Sequence, residues 1–257
     1  MRYVIVGEDK RFDYVCDRLR RDKKQVQRCY HLDELESACT KSATVLVPFG
    51  LGPGEQAQVL KSVSKGGVVV GGKLHPENTV LVAKAKLVYR DLASRDDFAR
   101  RNALPTAEGC LMRILTLTPF VLSGTSVLVC GFGRVGAHCA RLLRRCGADV
   151  FVLGREGNSL DQAREANFPV LGLPQMNASL PFRVIVNTVP VAGFLSACFL
   201  SACPHLFLVL DLASGKNNVD EKYLYERGIL FESALGLPGK CAPETAAEYV
   251  YQFLCDS

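Results

Sequence analysis

The 257-residue chain contains no tryptophan, and aromatic residues make up only 8% of it. That is too little for a platform on which single-stranded bases would stack. It has no CxxC pair, and Met1–Gly7 is too short for the apolar core of a secretory leader and reads instead as a first β-strand. Its eleven cysteines, an odd number, are therefore expected to be reduced thiols in a cytoplasm rather than a disulfide framework. Cys198 and Cys203 lack ligand-type neighbours at metal-binding spacing, so no metal is expected. Residues 114–133 and 184–210 carry no Asp, Glu, Lys or Arg, and each run is long enough to cross a bilayer. Pro119 and Gly124 break the first, and Pro190, Gly193 and Pro204 break the second. They read as buried parallel strands joined by short apolar helices, with no membrane contact.

Apolar residues make up 48% and charged residues 22%, the balance of a globular chain with a core of its own. The net charge of +5 is uneven. Residues 1–101 hold 19 Lys and Arg against 13 Asp and Glu, and residues 102–257 hold 12 against 13. The basic run Arg18, Arg20, Arg21, Lys23 and Lys24 is interleaved with Asp17 and Asp22. It reads as the solvated face of a helix rather than a phosphate-tracking stripe, so nucleic acid is not expected as a partner. A mild positive bias suits an anionic small molecule.

Short β-branched runs alternate with helical stretches throughout, the α/β pattern. Strands are expected at 2–6, 44–48, 67–71, 87–90, 126–130, 149–153, 183–187, 206–212 and 229–232. Helices are expected near 10–22, 54–65, 134–146, 159–167, 193–201, 220–227 and 243–254. Ser94 reads as the N-cap of a further helix, with Asp96 and Asp97 in its first turn. Pro105 then reads as a break that opens the next helix. The domain boundary falls here: 1–101 form an N-terminal domain and 102–257 a second, with the final helix placed to pack back towards the first.

Gly131, Phe132, Gly133, Arg134, Val135 and Gly136 fit GxGxxG between an expected strand and an amphipathic helix. In that context Gly131 permits the tight turn, Gly133 a close approach of backbone to a pyrophosphate, and Gly136 close helix–strand packing. The helix N-terminus supplies free N–H groups. The next strand ends Val152-Leu153-Gly154-Arg155, with no acidic residue for a ribose 2′-hydroxyl. Arg155, assisted by Ser159, fits a 2′-phosphate, so NADP is expected, with NAD as the alternative that Glu156 keeps open.

Ligands of open parallel sheets sit beyond the C-terminal strand ends. Asn187, Thr188, Val189 and Pro190 end one strand there, and Asp211 and Ala213 another, so all six are cofactor candidates. Asp211 reads equally as an anchor for loop amides. Ser214, Lys216 and, in a loop before the last helix, Lys240 are candidates for meeting a carboxylate, the lysines reading also as surface charge. Among four histidines only His75, in a loop, is placed to face a cleft.

The segments Asn102–Gly109, Gly131–Gly136, Asn187–Pro190, Asp211–Ser214 and Gly236–Ala246 follow one another in an order that resembles the A subunits of dipicolinate synthase from spore-forming bacteria. The resemblance is strong over about residues 88–250 and looser before. It implies a Rossmann doubly wound parallel sheet plus a smaller N-terminal α/β domain of flavodoxin-like type. It implies an NAD(P)-dependent oxidation of dihydrodipicolinate, or its hydrated precursor, to dipicolinate in sporulation. It also implies the flavoprotein-like B subunit of dipicolinate synthase as partner, and a homo-oligomer. For a small dicarboxylate substrate, Asn102 and Thr106 become binding residues. Thr106 and Glu108, at an expected helix start in the cleft, become the catalytic candidates, with Glu108 as general base. Glu108 reads equally as a capping-box carboxylate.

Two other enzymes share the plan. A 2-hydroxyacid dehydrogenase needs a histidine–carboxylate pair on the late loops, and His205 precedes its strand instead. A shikimate-dehydrogenase-like enzyme matches Asn187–Pro190 but lacks its Lys–Asp pair. A regulatory dinucleotide-binding subunit without chemistry is the non-enzyme alternative.

Overall fold

The computed structural model describes residues 2–38, 43–154, 157–172 and 179–255. The chain divides into two compact units, Met1–Asn102 with Ala242–Ser257, and Ala103–Cys241.

In the first unit the elements run β1 (Arg2–Val6), α1 (Lys10–Arg21), β2 (Gln25–Cys29), α2 (Leu35–Ala38), β3 (Ala43–Leu46), α3 (Pro53–Ser62), β4 (Val68–Gly71), α4 (Thr79–Lys84) and β5 (Val88–Asp91). The strands are parallel in the order β2-β1-β3-β4-β5, the flavodoxin-like arrangement. Asp9 starts α1 by accepting from the Arg11 N–H at 3.0 Å. Phe12, Val15, Cys16 and Leu19 then form its buried stripe. That stripe meets Ala247, Val250 and Leu254 of the last helix in one apolar cluster. Phe49, Phe98 and Phe253 stack edge to face beside it.

Helix α5 (Asp96–Leu117) begins in the first unit and continues into the second. The expected break at Pro105 does not occur: one 22-residue helix passes through it. An interior proline costs about 3 kcal/mol. Ala103, Ala107, Cys110 and Ile114 recur on one face and are fully buried. Ile114 alone returns about 1.5–3 kcal/mol, so packing outweighs the lost hydrogen bond. Ser94 does not cap this helix; its hydroxyl and its N–H are bonded to Asp91 instead.

The second unit continues with β6 (Ser126–Cys130), α6 (Arg134–Arg145), β7 (Asp149–Gly154), α7 (Asn158–Glu165), β8 (Val170–Gly172), β9 (Val184–Asn187), α8 (Ala197–Ser201), β10 (Leu208–Asp211), α9 (Glu221–Glu226), β11 (Leu230–Ser233) and α10 (Leu237–Cys241). α11 (Pro243–Cys255) returns to the first unit. The strand order β11-β10-β9-β6-β7-β8, all parallel, is the Rossmann order with its reversal between β6 and β9. β9 and β10 are buried at every position, which explains the long charge-free run. Among the described residues no helix is long and apolar enough to cross a membrane.

Most described cysteines serve as small apolar residues. Burial pushes the Cys16 and Cys203 thiols up to about 11. The Cys110 thiol is also raised, first by its hydrogen bond with Cys139 and then by burial, and the Cys130 thiol by burial. A raised thiol pKa stabilises the fold below the unfolded value of about 8.5, and that contribution is lost as pH rises towards the folded value. The denaturation midpoint is therefore expected to fall between about pH 8.5 and 11, and to fall less in the double variant Cys16→Ala, Cys203→Ala. Denaturant melts at several pH values check this; an unchanged slope in the variant contradicts it.

Candidate functional site

β6 ends at the reversal of the second sheet, and the chain must turn there without blocking the strand ends. Gly131 makes the turn at φ +88°, and its N–H donates to the Leu153 carbonyl at 2.7 Å. A side chain on Gly131 would reach within 2.8 Å of the Thr188 hydroxyl, and one on Gly136 within 2.2 Å of the Gly131 carbonyl oxygen. Both positions therefore need glycine. Thr188 closes the arrangement from β9, donating its hydroxyl to the Cys130 carbonyl at 2.7 Å and its N–H to the same oxygen at 3.0 Å.

Gly133, the N-cap of α6, is different: an added Cβ there meets nothing within 4 Å. The space beside it is where a ligand can approach the first-turn amides and the positive end of the helix dipole. Phe132 turns its ring away into the core, edge-on to Phe168 at 5.5 Å. Its backbone alone is left for a ligand. Arg134 opens α6 and is exposed, and Val135 is half-buried against the core.

A cavity of about 380 Å³ lies over the ends of β6, β7 and β9, lined by Gly131, Gly154, Gly157, Asn158, Ser159, Val189 and Phe194. Ser159 lines this cavity at the start of α7. Arg155, the other 2′-phosphate candidate, and Glu156 lie outside the described residues. Gly154, Gly157, Asn158 and Phe194 join the lining without belonging to the glycine-loop motif. The closely spaced Gly154 and Gly157 were the available signal; Phe194 offered none.

The reactive-end candidates fall into two groups. Asn187, Asp211 and Ala213 are buried. Asn187 donates from Nδ2 to Asp211 Oδ1 at 2.9 Å and accepts from the Val189 N–H at 3.1 Å. Asp211 Oδ1 also accepts from the Ala213 N–H at 3.1 Å, and Oδ2 from Asn218 Nδ2 at 3.1 Å. Asp211 is thus built as a loop anchor. Pro190, Ser214 and Lys216 are exposed on the loops after β9 and β10. Lys240 is exposed but belongs to helix α10, not to a loop, because Leu237, Pro238 and Gly239 bury this segment.

The expected helix start at Thr106 and Glu108 is overturned, since both lie in the middle of α5. A capping role for Glu108 is thereby removed. Residues two apart on a helix project about 200° apart, so half-buried Thr106 and exposed Glu108 do not share a face. Asn102 lies one turn before Thr106 on Thr106's side. Near them, a side chain on Gly109 would reach within 2.7 Å of Leu237 Cβ, and the Cys241 thiol donates to the Pro105 carbonyl at 3.0 Å. Arg113 grips Glu232 through two nitrogens at 2.6–3.0 Å. The segments around Pro105 and Leu237 are therefore two sides of one seam. His75 is occupied locally, its Nε2 donating to the Leu51 carbonyl at 3.0 Å.

No family model matches the chain. Its sequence is 35% identical over 179 residues to the A subunit of dipicolinate synthase from Bacillus subtilis, covering 69% of this chain and 59% of that one. The chain thus matches about three fifths of that relative's length. Its fold is similar to the crystal structure of the dipicolinate synthase A subunit from Bacillus halodurans, with a TM-score of 0.82, 26% identity, and coverage of 100% and 98% of the two chains. D-lactate dehydrogenase from Escherichia coli shares the fold at a TM-score of 0.65 and 12% identity, over 99% and 95% of the two chains.

The two glycines with different surroundings make a test. Gly136→Ala is expected to cost about 1–3 kcal/mol from overpacking, seen as a lower melting temperature. Gly133→Ala is expected to fold with a smaller loss, yet to bind a dinucleotide at least tenfold more weakly by calorimetry. Undiminished binding in Gly133→Ala contradicts backbone approach at that glycine.

Proposed function

We propose that this chain, a relative of the dipicolinate synthase A subunits in sequence and in fold, is the NAD(P)-dependent subunit that oxidises dihydrodipicolinate, or its hydrated precursor, to dipicolinate during sporulation. It acts in the cytoplasm as a homo-oligomer with a flavoprotein-like B subunit. The observation that carries this reading is the glycine turn at the sheet reversal, with open space at Gly133, in a chain of that likeness.

The residues present fit a dinucleotide. The amides of Gly133–Gly136 would hold the pyrophosphate, and the cavity beside Asn158 and Ser159 would take the adenosine end. Arg155 and Ser159 would hold the 2′-phosphate of NADP, with NAD the alternative. Val189 lines that cavity too, and Thr188 and Pro190 beside it would border the nicotinamide end. When bound, the oxidised nicotinamide supplies the acceptor for a hydride.

The substrate ring loses a hydride and a proton and becomes aromatic. Aromatisation favours the step, so what the chain must do is bind and orient. Two carboxylates call for cations and hydrogen-bond donors; Lys216, Lys240 and Ser214 are assigned to them, while Asn102 and Thr106, on the other side of α5 from Glu108, are not. Glu108 is assigned the proton. A 2-hydroxyacid dehydrogenase reading is disfavoured because His205 is exposed and precedes β10, leaving the late loops without a histidine base.

A reconstituted assay tests the function: dihydrodipicolinate with NADP⁺ or NAD⁺, with and without the B subunit, followed by dipicolinate absorbance. No dipicolinate under any combination overturns it. Dinucleotide binding without turnover would favour a regulatory subunit.

Two variants test the roles. Arg155→Ala is expected to weaken NADP binding tenfold to a hundredfold while sparing NAD, since a charge-assisted contact contributes about 1.5–3 kcal/mol. Equal losses for both dinucleotides contradict the 2′-phosphate role. Glu108→Gln is expected to lower turnover by about 10²–10⁴ with melting temperature and NADP affinity nearly unmoved. Full turnover in that variant rules out Glu108 as the base.

A further inference from the structure

Two loops rise from neighbouring strands at the reactive edge, residues 188–196 after β9 and 212–220 after β10. Backbone hydrogen bonds join them to each other. The Gly193 N–H donates to the Asn217 carbonyl at 2.7 Å, the Leu195 N–H to the Asn218 carbonyl at 3.0 Å, and the Asp220 N–H back to the Leu195 carbonyl at 2.9 Å. Leu195 and Val219 form an isolated parallel bridge. Asp211 lies beneath this join, only 6% exposed.

Its carboxylate ties both loops to the sheet at once. Oδ1 takes Asn187 Nδ2 and the Ala213 N–H, and Oδ2 takes Asn218 Nδ2. Asn187 in turn closes the start of the first loop through Val189, bonding both its N–H and its carbonyl. Asn218, 3% exposed, belongs to the second loop. Three donors converge on one buried acceptor group. Loss of that group leaves buried amides unsatisfied, a penalty larger than the net gain of a hydrogen bond.

We infer that Asp211 is a positioning residue: it clamps the loops after β9 and β10 into one rigid rim through Asn187 and Asn218, and it touches neither substrate nor cofactor. The inference rests on the reading of this edge as the reactive end of an oxidoreductase. The rim carries Thr188–Pro190 on one loop and Ser214 and Lys216 on the other. Displacement of reacting groups by about 1 Å costs about a hundredfold in rate, so a clamp acts on turnover. The cavity assigned to the adenosine end takes Val189 and Phe194 from the first of these loops, whereas helix α7 beside it lies outside both.

The test compares Asp211→Ala, Asn218→Ala and the double variant in the full chain with the B subunit. Asp211→Ala is expected to lose about a hundredfold in kcat, and Asn218→Ala at least tenfold. The double variant is expected to be no worse than Asp211→Ala, because the two belong to one network. Amide hydrogen exchange in α7, outside both loops, is expected to keep the parent's rate in all variants. Amide hydrogen exchange is expected to quicken in both loops together in each single variant. A general loss of fold would quicken exchange in α7 as well, which separates a structural defect from a clamp. Full kcat in Asn218→Ala beside a large loss in Asp211→Ala overturns the inference in favour of direct ligand contact, as does unchanged exchange in both loops. If Asp211→Ala does not fold, Asn218→Ala decides alone, since Asp211 there keeps Asn187 and Ala213. Absence of dipicolinate formation by the parent chain overturns the proposed reaction, while the exchange comparison still tests the clamp.

Discussion

The site depends on one contact that leaves no room for a side chain. The Gly131 carbonyl oxygen lies 2.2 Å from where a Cβ of Gly136 would be, so α6 starts directly on the end of β6. That closeness aims the first-turn amides of α6 across the sheet reversal. Thr188 packs into the same gap from β9 and bonds the Cys130 carbonyl. Three consecutive features of the site — turn, helix start and the β9 loop — are thus fixed by backbone geometry rather than by charged side chains. An anion bound here would be held by N–H groups whose positions the fold sets before any ligand arrives.

The rest of the second unit supports that point. The helix α5 lies on the sheet through Ala107, Cys110 and Ile114. It locks to α10 where Gly109 admits Leu237, and to β11 through Arg113 and Glu232. The Pro-Thr-Ala-Glu-Gly and Leu-Pro-Gly segments that carry the family resemblance therefore meet in space. Their shared feature is close packing, so part of their sequence signature is explained by the seam. The contribution of Glu108, exposed on α5, is separate from it.

Much of this was legible in the sequence because the period of the apolar pattern is strong where both sheet faces are covered. β1, β6, β9 and β10 are continuous apolar runs, and the glycine loop stood between a clear strand and a clear helix. The elements that were not legible are those with little burial to mark them. β2 reads Gln-Val-Gln-Arg-Cys at a sheet edge, and β8 has three half-buried residues, also at an edge. α4 and α10 are one to two turns long; α4 buries no residue, and α10 buries Leu237, Pro238 and Gly239 without a periodic apolar pattern. Pro105 locally favours a break, and the burial of Ala103, Ala107 and Ile114 around it overrides that preference. In the site, the glycine positions follow from steric rules that sequence carries, whereas Phe194 and the Asn187–Asp211–Asn218 network depend on which loops the topology makes neighbours.

Whether the backbone at the sheet reversal holds a dinucleotide is tested most directly by titrating the ¹⁵N-labelled chain with NADP⁺ and following its amide chemical shifts. The largest shifts are expected at Gly131–Gly136, with further shifts at Gly157–Ser159 and Thr188–Val189. A folded chain whose amides there do not move, or whose shifts cluster in the first unit alone, would contradict a dinucleotide held by this backbone.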